Sequence, residues 1–306
     1  LPASRPPPVR ALVTGGTGFV GRHLIDALLR RGDIVTTLVR TPRKATGLAE
    51  LGVRLVPGDL SDAASLRAGA REQDAIYHVA GLVAARSEAE FLEVNRDGTA
   101  RLAAAVAAES PDAKMVLVSS MAAAGPSSRG NGLQGTEPPR PITMYGRSKL
   151  AGEQALRATK LRWSIVRPPA VYGPGDTEML PVFKAARWGW VPVFGDGYQE
   201  LSLIYGPDLA EALAATGHSA AAIGGTFYAC HPDVHTTRSL VTAVGRAVGR
   251  NVRIIPLPRS LAAVALQITA GAARLAGRAT ILTPDKAHEF FAPAWTADAE
   301  PLAVAA

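Results

Sequence analysis

Cysteine occurs once in 306 residues, at Cys230. An internal disulfide is excluded, and so is a zinc site built on cysteine. That scarcity suits a reducing, cytoplasmic compartment. Long apolar runs are lacking as well. The longest, "LAAVALQITAGAA" from Leu261 to Ala273, falls short of the roughly 20 residues a membrane span needs. It is expected to form a buried or lid helix, with attachment to a membrane surface as the rival reading. Negative charge is the scarcer sign, 26 acidic against 33 basic residues, giving +7 overall. The basic residues are scattered and not interleaved with aromatics, which argues against nucleic acid. An anionic cofactor or substrate is the simpler use for them. Histidines are few and dispersed, and "HPDVH" (231–235) is too thin a ligand set to imply a metal. "LPASRPPPVR" lacks the apolar core of a signal peptide and reads as a proline-rich leader.

What the chain does have is a full complement of core-forming residues, 47% hydrophobic against 19% charged, so it folds as one large domain or two unequal ones. The first two-thirds alternates short β-branched runs with helical patterns. Strands are expected at 11–14, 34–39, 53–59, 75–80, 115–120 and 163–168. Helices are expected at 19–31, 63–70, 88–109 and 145–159. The strands read as nearly continuous apolar runs, as they do when both sheet faces are covered. Strict alternation predicts right-handed βαβ units: an α/β Rossmann fold with a doubly wound parallel sheet. Residues 1–171 are assigned to this nucleotide-binding domain. Residues 172–306 mainly form a smaller C-terminal substrate-binding lobe, with helices near 208–216 and 237–248 and a strand near "GTFYAC" returning to the sheet. "GPSSRGNGLQGTEPPRP" (125–141) is too polar and turn-rich for either element and is expected to be a long loop.

The stretch "LVTGGTGFVGRHL" places Gly15, Gly18 and Gly21 between the first strand and the first helix. Gly15 would permit the tight turn, Gly18 the approach of a pyrophosphate, and Gly21 close helix–strand packing. The helix starting near Phe19 would present free N–H groups and a positive dipole end to that phosphate. An NAD site usually carries an acidic residue about 20 residues beyond the loop. Here the second strand ends in Arg40, followed by Arg43 and Lys44, while Asp33 lies before that strand. A guanidinium at Arg40, aided by Lys44, would pair with a 2′-phosphate. NADP(H) is therefore expected over NAD(H).

"MYGRSKLAGE" sets Tyr145 and Lys149 four residues apart on one helical face. A phenol near its ordinary pKa of about 10 is a poor acid–base at neutral pH, and a neighbouring ammonium would lower that value. Ser120 closes the strand "MVLVSS" at the carboxyl edge of the sheet, where ligands of open α/β folds bind. No GxSxG elbow accompanies it, so serine-nucleophile chemistry is excluded on pattern.

In order along the chain, "TGGTGFVG", "GDL" (58–60), "HVAG" (78–81), "NRDGT" (95–99), "VSS" (118–120), "YGRSK" (145–149) and "RPPAVYGPGD" (167–176) resemble the extended short-chain dehydrogenase/reductases. The resemblance implies a catalytic Ser120, Tyr145 and Lys149. It implies cofactor contacts at Gly15, Thr17, Gly18, Phe19, Val20 and Gly21, and at Asp59 and Leu60 for adenine. It further implies contacts at Ala80, Gly81 and Val118, and at Asn95, Pro168 and Val171 along the nicotinamide half. "SSMAAAGP" (119–126) lacks the acidic pair of the sugar-nucleotide dehydratases and is similar to 3β-hydroxysteroid dehydrogenases and dihydroflavonol reductases. The expected activity is carbonyl–alcohol interconversion on a small hydrophobic substrate that is steroid-, flavonoid- or aldehyde-like. A nucleotide-sugar epimerase or dehydrogenase and a non-catalytic NADP-binding module are the alternatives. The resemblance also implies a homodimer joined through helices 88–109 and 145–159.

Overall fold

A computed structural model describes residues 7–306; the first six residues of the proline-rich leader lie outside it. The first half runs β1 (Arg10–Thr14), α1 (Phe19–Arg31), β2 (Ile34–Val39), α2 (Thr46–Glu50), β3 (Arg54–Pro57), α3 (Ala63–Ala70) and β4 (Ala75–His78). There follow α4 (Glu88–Leu92), α5 (Gly98–Glu109), β5 (Lys114–Val118), α6 (Met144–Arg157), β6 (Arg162–Arg167) and β7 (Ala170–Tyr172). The remainder comprises α7 (Leu180–Arg187), β8 (Trp190–Phe194), β9 (Glu200–Leu201), β10 (Leu203–Tyr205), α8 (Gly206–His218), β11 (Thr226–Tyr228) and β12 (His235–Thr236). It ends with α9 (Thr237–Ala247), β13 (Arg253–Leu257), α10 (Arg259–Leu275), α11 (Ala287–Phe290), β14 (Ala294–Trp295) and α12 (Glu300–Ala305).

Seven strands make one sheet in the order β11-β6-β5-β4-β1-β2-β3, with every neighbouring pair parallel. This is the Rossmann arrangement expected from the alternating pattern. The order reverses between β1 and β4, where ligands of such sheets bind. Alternation along β1 shows how both faces are covered. Ala11 and Val13 pack with Leu24, Ile25 and Leu28 of α1 and Leu209 and Leu213 of α8. Leu12 points the other way, into Leu66 of α3, Leu102 and Val106 of α5, and Leu156 of α6.

Local chemistry fixes the helix ends near the sheet's carboxyl edge. Asp62 caps α3 by accepting from Ala64 N at 3.0 Å, and Thr143 caps α6 by accepting from Gly146 N at 3.1 Å. α1 ends where Gly32, at φ +87°, donates its N–H back to Leu28 and Leu29.

The segment 125–141 is a loop, as expected, pinned by bridges from Ser127 to Ala294 and Leu133 to Ala297. The structure departs from the expected elements in two places. Residues 88–109 are not one regular α-helix, because a π-helical turn, Glu93–Asp97, joins α4 to α5. And α10 does not bury the apolar stretch: Ala262 and Leu266 are covered, yet Leu261, Val264 and Ile268 stand more than half exposed. Beyond residue 171, β8 and β13 form a two-stranded sheet with a core of its own from α7 and α9, while α8, β11 and α12 pack on the main sheet. Among the described residues no helix is long and apolar enough to cross a membrane.

Candidate active site

The glycine loop is built as a cradle that side chains would fill. Gly15 sits at φ +76°, and a Cβ there would lie 2.7 Å from Ala80 N. A Cβ on Gly21 would lie 2.1 Å from the Gly15 carbonyl oxygen, so Gly21 spares the loop itself as well as the packing of α1. Gly18 N donates to Gly15 O at 2.9 Å, closing the turn. Gly18 caps α1 without a side-chain acceptor, so the N–H groups of Phe19, Val20 and Gly21 have no side-chain cap. Thr17 is exposed beside them. Such a helix start fits a dinucleotide pyrophosphate.

Arg40 is exposed where β2 ends, and Arg43 and Lys44 are exposed on the short 3-10 turn that follows. Asp59 is held below the usual carboxylate range chiefly by Ser61, whose hydroxyl donates at 2.6 Å and N–H at 2.8 Å; the Arg40 charge adds to this. Leu60 is half-buried beside it. Asp33, by contrast, accepts from Val9 N at 3.0 Å and pairs with His218, so its carboxylate serves the far end of the sheet.

Tyr145, Ser120 and Lys149 converge at the carboxyl ends of β4 and β5. The Ser120 hydroxyl faces the Tyr145 phenol closely enough to lower its pKa and accepts from Ala122 N at 3.1 Å. Lys149 Nζ donates to the Val118 carbonyl at 2.8 Å. A Cβ on Gly81 would stand 2.9 Å from Asn95 Oδ1 and 3.5 Å from Lys149 Nζ. Lys149 does not draw the phenol pKa down, although its spacing from Tyr145 implies that it would. Burial pushes Tyr145 up to about 12, Ser120 relieves part of this, and Glu289 and Glu178 add to it. Lys149 is itself brought down to about 8 by burial, against the opposing charge of Glu153. The phenol as placed is a proton donor.

Asn95 sits inside the π turn, where such irregularities often mark function. Its amide donates to Leu82 O at 3.1 Å and Ser148 Oγ at 2.9 Å, and its Oδ1 accepts from Leu82 N at 2.8 Å. Pro168 O accepts from Met121 N at 2.9 Å, which ties β6 to the segment carrying Ser120. Val171 packs, partly buried, on the core of the main sheet.

Three groups of supporting residues escaped the sequence reading. Fully buried Glu153 accepts two bonds from Arg167, at 2.8 and 2.7 Å, and one from Ser119 Oγ at 2.6 Å. Buried His78 bridges Thr14 Oγ1 at 2.7 Å and Thr99 Oγ1 at 3.0 Å. Thr99 gives its own proton to Asn95 O, so His78 Nε2–H donates to Thr99 and Nδ1 accepts from Thr14. Last, the segment at α11 closes over α6: Asp285 accepts from Met144 N at 3.0 Å, Glu289 from Thr143 Oγ1 at 2.6 Å. Lys286 Nζ lies 5.0 Å from the Tyr145 ring centroid and pairs with Glu289. Glu153, four residues beyond Lys149 on α6, carried a visible signal; residues 283–291 carried none.

Comparison with known proteins agrees with this geometry. Residues 11–228 match the NAD dependent epimerase/dehydratase family. Ceramide reductase of Caulobacter vibrioides is 34% identical over 292 residues, covering 95% of this chain and 87% of that protein. The 2-alkyl-3-oxoalkanoate reductase of Stenotrophomonas maltophilia is 28% identical, covering 79% and 76%. Among solved structures, the UDP-glucose 4-epimerase of Thermus thermophilus, in complex with NAD, superposes with a TM-score of 0.70 at 30% identity, over 81% of this chain and 86% of that one.

Proposed function

The chain belongs to the NAD dependent epimerase/dehydratase family and is an oxidoreductase; from that premise we propose that it is an NADP(H)-dependent reductase of a ketone on a long-chain, lipid-like substrate. The observation that carries the reading is the Ser120–Tyr145–Lys149 group, half-buried at Ser120 and Tyr145 and buried at Lys149, set against a glycine cradle whose second strand ends in cations. When bound, the reduced nicotinamide would supply the hydride to the carbonyl carbon. Tyr145 donates its phenolic proton to the carbonyl oxygen, and Ser120 Oγ hydrogen-bonds that same oxygen and aligns it. Lys149, anchored on the Val118 carbonyl, places an ammonium beside Gly81 and Asn95, where the nicotinamide ribose would lie.

The lipid-like substrate is narrower than the steroid-, flavonoid- or aldehyde-like class read from the sequence. It draws on two relatives whose names specify reduction of alkyl-chain compounds and on the absence of an acidic pair after Ser119 and Ser120. The assay is oxidation of NADPH and NADH with long-chain keto amides, 2-alkyl-3-oxo acids, steroid ketones, short aldehydes and UDP-sugars. Turnover of UDP-sugars alone would defeat the reading.

Cofactor choice is tested separately. A charge-assisted bond from Arg40 to a 2′-phosphate contributes about 1.5–3 kcal/mol, roughly ten- to a hundredfold in affinity. Arg40→Asp is expected to weaken NADPH by that factor and leave NADH equal or better. A wild-type protein that binds NADH more tightly than NADPH would overturn the assignment.

A further inference from the structure

The helix α10 presents two apolar faces, and only one of them is covered. Ala262 and Leu266, 0% and 2% exposed, hold it against the protein. Leu261, Val264, Ile268 and Leu275 stand 58%, 54%, 67% and 92% exposed. With the exposed Ala265 and Ala272, these side chains fall within about 100° of arc at the turn of an α-helix. Single exposed leucines are ordinary; a continuous outward stripe four turns long is not.

The stretch of chain that contains α10 carries charge of one sign, although α11, packed against α10, bears Glu289. From residue 234 to residue 284 the chain carries seven arginines and neither aspartate nor glutamate. Arg259, Arg274 and Arg278 lie on α10 or just beyond it. The strand β13 that leads into α10 pairs with β8, whose Trp190 is 60% exposed, and the adjoining Trp188 is 83% exposed. Trp188 shares a surface depression with Lys184, Arg187 and Arg250.

We propose that the outward stripe of α10, with this basic surround, is a docking surface for an anionic lipid bilayer, on which the enzyme lies without spanning it. The composition is that of an interfacial helix, with an apolar stripe, arginines at its ends and exposed tryptophans at the strand paired with the one that leads into it. At 17 residues and about 25 Å, it lies in the plane of the interface. A second copy of this chain is a poorer occupant, because it would set the arginines of this stretch against their own copies. Anionic headgroups complement the same surface. Docking there would let a lipid-like substrate reach the site from the bilayer instead of from water.

The test is co-flotation of the full chain with vesicles of two parts phosphatidylcholine to one part phosphatidylglycerol, against pure phosphatidylcholine. Wild type is expected to bind the anionic vesicles at least tenfold more tightly. The double variant Ile268→Asp/Leu275→Asp and the charge reversal Arg274→Glu/Arg278→Glu should each lose tenfold or more, with NADPH binding unchanged as the check on folding. No binding to anionic vesicles, or variants that bind as wild type does, would overturn the proposal. So would a concentration-dependent dimer abolished by Ile268→Asp/Leu275→Asp in a protein that ignores vesicles. Vesicle binding is read without turnover, so it stands or falls independently of the reductase reading.

Discussion

At Tyr145 desolvation raises the phenol to about 12, the Ser120 hydroxyl eases that rise, and the Lys286 ammonium stands 5.0 Å from the ring centroid. Tyr145→Phe removes one oxygen and leaves the glycine cradle alone. Turnover is expected to fall about 10²–10⁴-fold, with NADPH affinity unchanged by fluorescence titration; activity within tenfold of wild type would take the proton donor elsewhere. His78 gives a second residue-scale expectation. Burial, with the Lys149 charge adding to it, lowers its pKa from 6.5 to about 3. Below pH 6.5 the unfolded chain binds a proton that the folded chain refuses, so stability must fall as pH drops from about 6.5 toward 3. Each unit of difference is worth about 1.4 kcal/mol, so the loss reaches a few kcal/mol. Urea unfolding between pH 7 and 5 should show this slope in wild type and a flatter one in His78→Gln.

Among the elements, α6 matters most, because it carries Tyr145 and Lys149 and is clamped at both ends. Near its C-terminal end Glu153 meets Arg167 of β6 in a dry ion pair that also orients Ser119, next to Ser120. Glu153→Gln would leave a buried guanidinium without its partner and should cost about 3–5 kcal/mol of stability. Glu153→Met/Arg167→Met removes both charges and should recover most of that; chemical denaturation of the three proteins measures it. The strands and most helices around α6 were legible, since strands covered on both faces leave continuous apolar runs and helices leave a 3.6-residue stripe. The π turn was not, because one extra residue per turn hardly alters that stripe. What admits it is Gly152, where a Cβ would lie 2.3 Å from Asn95 O. Glu153 and Arg157, its partner one turn on at 3.2 Å, could be seen in the sequence, but not Arg167, which lies on another element. The exposed side of α10 was misjudged because apolar content reports affinity for an apolar neighbour without saying whether that neighbour belongs to the protein.

For the whole molecule, we propose the dimer that the sequence resemblance implies, through the α4–α5 segment and α6; light scattering at micromolar concentration should give twice the chain mass, and a monomer would reject it. The sheet itself has a consequence for biosynthesis. The side of β1 that packs under α1 is closed by α8, whose first residue follows the end of α1 by 175 positions (206 − 31). At about 5–20 residues per second, roughly ten to thirty-five seconds of translation separate the two helices. Through that interval Leu24, Ile25 and Leu28 lack the α8 side of their cover, and β6 is an unpaired edge until β11 emerges. The cofactor cradle is thus encoded early and completed late, so a nascent chain holds its glycine loop over an unfinished floor.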